Sequence, residues 1–209
     1  MLSPVHDLPE HLALPLESGE PWWYWLGGRP AMDLVNTRRE RWRRRVETLV
    51  TPDDLMRWLV RAELVPALAE VTEQTLADAR ELREAIDACV EAVLVGAAPP
   101  RLAVATIDGW LGHGVTQPGF ALDASGAPVL EERCAGGPAQ RALGAIALDA
   151  AEMLGRAAER GRIRVCASET CSARFYDRSP AGRRRWCSMR TCGNEAKARR
   201  HRERTKGGA

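Results

Sequence analysis

Four cysteines in the last quarter of the chain, Cys166, Cys171, Cys187 and Cys192, form two pairs of equal spacing in a segment of Arg, Ser, Thr and Gly. Four thiolates close a tetrahedral Zn²⁺ site, and a structural site fills every position with protein. Structural free thiols would instead recur on apolar periods among hydrophobes, which this segment lacks. Two disulfides are the rival arrangement. The opening MLSPVHDLPE has no basic stretch followed by an apolar one that would mark export to an oxidising compartment, so a reduced, cytoplasmic setting and one structural Zn²⁺ are expected. Four cysteine ligands leave no open position for a catalytic water. The four histidines, His6, His11, His113 and His201, are scattered, with none between the cysteine pairs, so no catalytic constellation is legible and no enzyme is expected.

Elements must hold these thiols. Ser188 is placed to cap a helix running through MRTCGNEAKARRHRER, with Cys187 just before it and Cys192 near the end of its first turn. The positive end of that helix favours both thiolates. The first pair, between the apolar residues 163–165 and Phe175-Tyr176, reads as a knuckle flanked by strands. Residues 177–182, with Ser179-Pro180 and Gly182, read as a hairpin turn. Knuckle, hairpin and helix together make a treble-clef-like zinc finger.

The formal net charge of +2 conceals an asymmetry. Residues 156–206 carry 16 Lys and Arg against 5 Asp and Glu, a net +11, and the remainder is −9. A four-cysteine zinc site removes about two positive charges and leaves the module near +9. Such a footprint suits a polyanion. Arg190, Lys197, Arg200 and Arg204 fall on one helix face, with Glu195 and Arg199 spaced to pair on another. Arg183, Arg184 and Arg185 would add phosphate contacts. Arg190 and Asn194, near the helix start, are candidates to read bases in a major groove. DNA is the expected partner, RNA or a ribosomal site the alternative, and an acidic protein a third.

The string WCSMRTCGNEAKARRHRER with the upstream C-x4-C resembles the CGNR zinc-finger family of bacterial proteins, which join this finger to an N-terminal helical ABATE domain. GGRPAMDLVNT (residues 27–37) and LVTPDDLMRWL (residues 49–59) match as well, so the resemblance covers nearly the whole chain. It implies a role in stress-induced transcription regulation, with the N-terminal domain sensing a ligand or dimerising. One departure is visible: Glu195 stands where the motif has Arg. If that Arg touches phosphate in relatives, this chain lacks the contact.

The expected fold class is mainly α (α+β): a flexible leader (1–20), a helical ABATE-like domain with small β elements (21–161) and the finger (162–209). Trp22-Trp23-Tyr24-Trp25 reads as a core strand rather than a stacking platform. Asp33 and Asn36 share a helix face and could line a small-molecule pocket or tether backbone. The arginines at 38, 39, 41 and 43–45 either extend the nucleic-acid surface or sit on a solvated loop. Thr51-Pro52-Asp53-Asp54 starts a helix. Further helices are expected over 75–95, from Pro100 through Leu111, and over 138–160, with a hairpin around Ser125-Gly126. Cys89 and Cys134 read as structural or incidental. No apolar run approaches the length a membrane helix needs, so membrane is excluded as a partner, and a homodimer and a small-molecule effector stay open.

Overall fold

The structure, a computed structural model, describes residues 8–66, 69–134 and 136–206. The first seven residues of the expected leader, and the Cys134 side chain, lie outside the described residues. Leu8 is buried, and the Arg44 guanidinium donates to the carbonyls of Leu8, Pro9 and Glu10. The aromatic run, expected as a core strand, enters the core but forms no strand among the described residues. Trp23 and Tyr24 are buried, and Trp23 Nε1 donates to Thr48 O at 2.7 Å. Packing and the indole bond do there what a ladder would do in a sheet.

Helix α1, Pro30–Val35, opens with proline, whose missing N–H has no intrahelical partner to lose. Strands β1, Arg38–Arg39, and β2, Val46–Glu47, pair antiparallel around the arginine-rich loop. That loop is exposed at Trp42, Arg43 and Arg45, but its other arginines are engaged. Arg39 lies over the Tyr24 ring and donates to Trp22 O, Arg41 donates to Val35 O, and Arg44 is ion-paired to Glu40 at 2.6 Å.

Helix α2, Pro52–Arg61, starts where the sequence placed it, through a reciprocal cap. Thr51 Oγ1 accepts from the Asp54 N–H at 3.1 Å, and Asp54 Oδ2 accepts from the Thr51 N–H at 3.0 Å. Thr72 and Thr75 repeat the device at α3, Glu73–Leu94. Helix α4, Arg101–Leu111, precedes a hairpin of β3, Thr116–Leu122, and β4, Pro128–Cys134. It turns at Gly126, whose φ of +84° suits glycine, and Asp123 Oδ1 gathers the N–H groups of Ser125 and Ala127. Helix α5, Pro138–Gly155, packs with α3 and α4 around Leu82, Ile86, Leu143 and Ile146, each fully buried. Burial of each such side chain contributes about 1.5–3 kcal/mol. Gly144 permits a close approach, since a Cβ there would sit 2.2 Å from Gly114 N.

The helix expected over 138–160 is broken. Arg156 is extended (φ −96°, ψ 124°) and a separate turn, α6, Ala157–Arg160, follows. The alanine period runs straight through this point, but Gly155 has low helix propensity and gives the chain its exit. Beyond it, β5, Ile163–Val165, pairs antiparallel with β6, Arg174–Tyr176, and α7, Asn194–Lys206, ends the described chain.

Packing divides the chain into two compact units. One is residues 51–155; the other joins residues up to Val50 with those from Arg156 onward. The finger therefore shares its unit with α1, β1 and β2, whereas the boundary read from the sequence fell between 161 and 162. No helix among the described residues is long and apolar enough to cross a membrane.

Candidate metal centre and nucleic-acid interface

The finger is built onto α1 by backbone. Tyr176 N–H donates to Gly27 O at 2.7 Å, while the Gly27 N–H is held by Asp33 Oδ1 at 2.7 Å. Gly28, at φ +75°, leaves no room for a side chain: a Cβ would lie 2.8 Å from Tyr176 O. Asn36 completes the join, its Nδ2 donating to Arg174 O and its Oδ1 accepting from Arg174 N, both at 2.9 Å. Asn36 imitates a neighbouring strand. The two side chains that could have lined a pocket thus both hold backbone, Asp33 the Gly27 N–H and Asn36 the Arg174 amide groups of β6.

Strands β5 and β6 enclose the knuckle. Cys166 N–H bonds Ala173 O at 2.9 Å and Cys171 N–H bonds Ser168 O at 3.3 Å, turning both side chains inward. All four cysteines are buried, and their sulfurs lie within 4.8 Å of one another. Cys171 Sγ is 3.8 Å from Cys187 Sγ, which is 3.9 Å from Cys192 Sγ. A tetrahedron with Zn–S bonds of about 2.3 Å places its sulfurs about 3.8 Å apart. A disulfide needs about 2.0 Å, and the cysteines are free. The donor set fits one structural Zn²⁺.

Hydrogen bonding to Cys166 and Cys171, and then burial, push the Cys187 and Cys192 thiols far above the ordinary range. At Cys166 the bond with Cys171 pushes upward, yet those with Cys187 and Cys192 outweigh it and bring the thiol down to about 7. Four thiolates this close would repel one another, so all four form only when a cation displaces the thiol protons. Tyr24, Ala173 and Phe175, with Leu26 and Trp186 packed beside them, form the apolar shell that keeps water from the sulfurs. Tyr24 comes from the aromatic run, far from the cysteines in sequence.

Cys187 precedes and Cys192 lies within a single π-turn, Met189–Gly193, in which Gly193 N–H reaches Ser188 O at 3.0 Å. Ser188 occupies the capping position, but its side chain makes no cap bond, because the wide turn is closed by the Ser188 carbonyl. Gly193 sits against Met189, whose Sδ would be 2.8 Å from a Cβ.

The turn expected over 177–182 forms, with the Gly182 N–H on Ser179 O at 3.1 Å, but no strands pair across it among the described residues. Side chains hold this loop instead. Asp177 is fully buried and accepts from the N–H groups of Ser179 (2.9 Å) and Arg184 (2.8 Å). Burial raises its pKa, but those two bonds prevail and hold the carboxyl below its usual range. Arg162 donates to Asp177 O and Ser179 O, and Arg164 to Gly182 O. One backbone bond, Ala167 N–H to Arg185 O at 2.8 Å, links loop to knuckle. Asp177 opens the expected turn, and Asp-x-Ser before Pro is a legible signal for its side-chain bonds to the loop.

A family model described as "ABATE: Putative stress-induced transcription regulator" matches residues 28–157, more than half of the chain. The chain belongs to the ABATE family. A second model, the CGNR zinc finger, matches residues 162–205 and so spans all four cysteines. Both descriptions concern regulation or zinc binding, which points away from catalysis. No curated protein matches the chain. In this ABATE protein the family boundary near residue 160 and the packing boundaries at 50 and 155 do not coincide, since α1 belongs to the first model and packs with the finger.

The basic residues divide into two groups. Arg184 is half-buried: its guanidinium lies 5.2 Å from the Phe175 ring and donates to Cys187 O, so it supports the metal loop rather than facing a partner. Arg183, Arg185, Arg190, Lys197, Arg200 and Arg204 are exposed. Lys197, Arg200 and Arg204 line one groove with Glu203. Arg185 lies over Trp186. Asn194 is exposed, with Nδ2 3.3 Å from Arg190 O. The expected Glu195–Arg199 pair is replaced: Arg199 reaches Glu169 at 3.2 Å and Glu203 at 4.0 Å. Glu195 stands in the first turn of α7, where a carboxylate favours the helix dipole.

Proposed function

We propose that this zinc-binding regulator binds DNA through the finger, with α7 as the element that enters the major groove and residues 51–155 as the sensing or dimerising part. The observation that supports this is the composition of α7. Its thirteen residues, NEAKARRHRERTK, include no large apolar side chain, so core packing cannot account for its placement. Cations cover it instead. Lys197, Arg200 and Arg204 share one face, and at about 1.5 Å per residue the helix spans about 20 Å, a length the major groove accommodates. Arg183, Arg185 and Arg190 would meet phosphates beside it, and Asn194 and Arg190, at its start, are the residues nearest to base edges. Zinc acts structurally here, fixing Cys187 and Cys192 so that the π-turn aims α7.

The test is a titration of the zinc-loaded chain with duplex DNA, single-stranded DNA and structured RNA across salt. Duplex affinity should fall steeply, and Lys197→Gln, Arg200→Gln and Arg204→Gln should each lower the log–log salt slope by about 0.9. Glu195→Arg should strengthen binding if that position faces phosphate. A flat salt response for all three polymers contradicts the proposal, and a clear preference for RNA transfers the surface to RNA.

A further inference from the structure

The hairpin of β3 and β4 has two unlike faces. Its register sets Phe120 opposite Leu130, Leu122 opposite Pro128 and Pro118 opposite Glu132. Opposed residues of an antiparallel pair point to the same side, so these six share one face. The other face is closed by the hairpin itself. Arg133 lies across Gly119, where a Cβ would collide with its Nε, and it donates to Glu131 Oε1 at 2.6 Å and to Phe120 O at 3.1 Å. Nothing comparable covers the first face: Phe120, Leu122 and Leu130 are 74%, 68% and 79% exposed. Apart from pairing with each other, β3 and β4 make no substantial packing with another element among the described residues. A lone two-stranded hairpin is marginal in water and gains stability when its apolar face is covered.

Charge and area select what covers it. Glu132 is the only charged residue among the six, and residues 51–155 carry 7 Arg against 16 Asp and Glu, a net −9. Nucleic acid and an anionic lipid surface both need cations at the contact, and this face has none. At their exposures Phe120, Leu122 and Leu130 present roughly 400–500 Å² of apolar surface, within the range of functional patches. Two copies face to face remove about 800–1,000 Å² from these side chains alone, and the prolines and rims bring the total to about 1,200 Å², where stable interfaces begin. A second copy also matches the face in kind. A two-fold axis lays the Phe120–Leu130 pair of one hairpin on the same pair of the other. With the hairpins running head to tail, the two Glu132 carboxylates lie at opposite ends of the contact.

We infer that the apolar face of the β3–β4 hairpin is a self-association surface, on which a second copy of this chain places the same face. This deepens the dimerising role proposed above for residues 51–155 and rests on that reading. Association is measured without nucleic acid, so its outcome is separate from that of the DNA titration.

The experiment is sedimentation equilibrium of the full-length, zinc-loaded chain over a concentration series reaching several hundred micromolar, at low and at high salt. A reversible dimer is expected. Raising the salt should leave its Kd unchanged or lower it, because apolar contact is insensitive to screening while the acidic units repel. Phe120→Gln and Leu130→Gln should each weaken the dimer at least tenfold. Both positions are exposed, so these variants should keep the parent melting temperature when diluted to monomer. Val129→Gln perturbs the same hairpin on its other face, opposite Ala121, and should change the Kd less than twofold. A chain that stays monomeric at the highest concentration overturns the inference. So does a dimer that dissolves on raising the salt, the mark of a basic finger held by an acidic helical unit. A dimer that Phe120→Gln and Leu130→Gln leave intact, or that Val129→Gln weakens as much, keeps the dimerising role and overturns the hairpin face.

Discussion

The helical unit buries Leu82, Ile86, Leu143 and Ile146 along helix faces, whereas the unit around the metal buries Arg39, Arg174 and Asp177 beside four cysteines. The first is held mainly by apolar packing, although it also buries Asp54, Arg83 and Asp87. The second has little apolar material in the finger itself, so it relies on directional bonds and on a cation, and it recruits Tyr24, Gly27 and Asn36 from the start of the chain. Directional interactions fail when one partner is removed, because the group left behind is buried and unsatisfied. Apolar packing fails gradually, by the volume lost. The two units should therefore respond differently to the same class of mutation.

The largest effect should come from the metal. Cys171→Ser should leave the purified chain without its Zn²⁺, and the loss should approach the scale of structural zinc binding, about 10 kcal/mol. Metal analysis together with a melting scan checks this: the transition of the metal unit should vanish while that of residues 51–155 remains. A smaller loss is expected from Leu143→Ala, about 2–5 kcal/mol confined to the helical unit, with zinc content unchanged. A chain that lost zinc on Leu143→Ala would erase the contrast.

Asn36→Ala removes both bonds to Arg174 and should cost about 2–4 kcal/mol in the metal unit alone, since each orphaned buried group costs about 1–3 kcal/mol. Denaturant unfolding followed separately in each unit reads this. Asp177→Asn should cost less, about 1–2 kcal/mol, because its amide oxygen retains part of the turn. The wild-type carboxyl also sets a pH dependence. Its pKa is lowered on folding, so its contribution is complete above the unfolded carboxylate value of about 4 and is lost as pH falls through the lower folded value. Amide exchange at Arg184 should accelerate in that acid window, and Asp177→Asn should remove the dependence.

What was legible in the sequence were features settled locally. The paired cysteines, the Thr51-Pro52 helix start and the Gly126 turn each carry their own geometric reason within a few residues. What was not legible depended on partners far along the chain. The use of Asn36 could not be read without knowing that β6 lies beside α1, 138 residues away in sequence. Arg184 looked like its neighbours because a run of arginines shows charge and not which guanidinium turns inward. The break after Gly155 was hidden by an alanine period that continues through α6.

The central claim is that residues 8–50 and the finger form one metal-dependent unit. Hydrogen exchange of the full chain, followed by mass spectrometry before and after removal of zinc with a chelator, tests it most directly. The account predicts that amides in residues 22–48 and 163–194 lose protection together, while α3 and α5 keep theirs. Loss confined to residues beyond 161, with the Trp23, Asn36 and Thr48 region still protected, would contradict it.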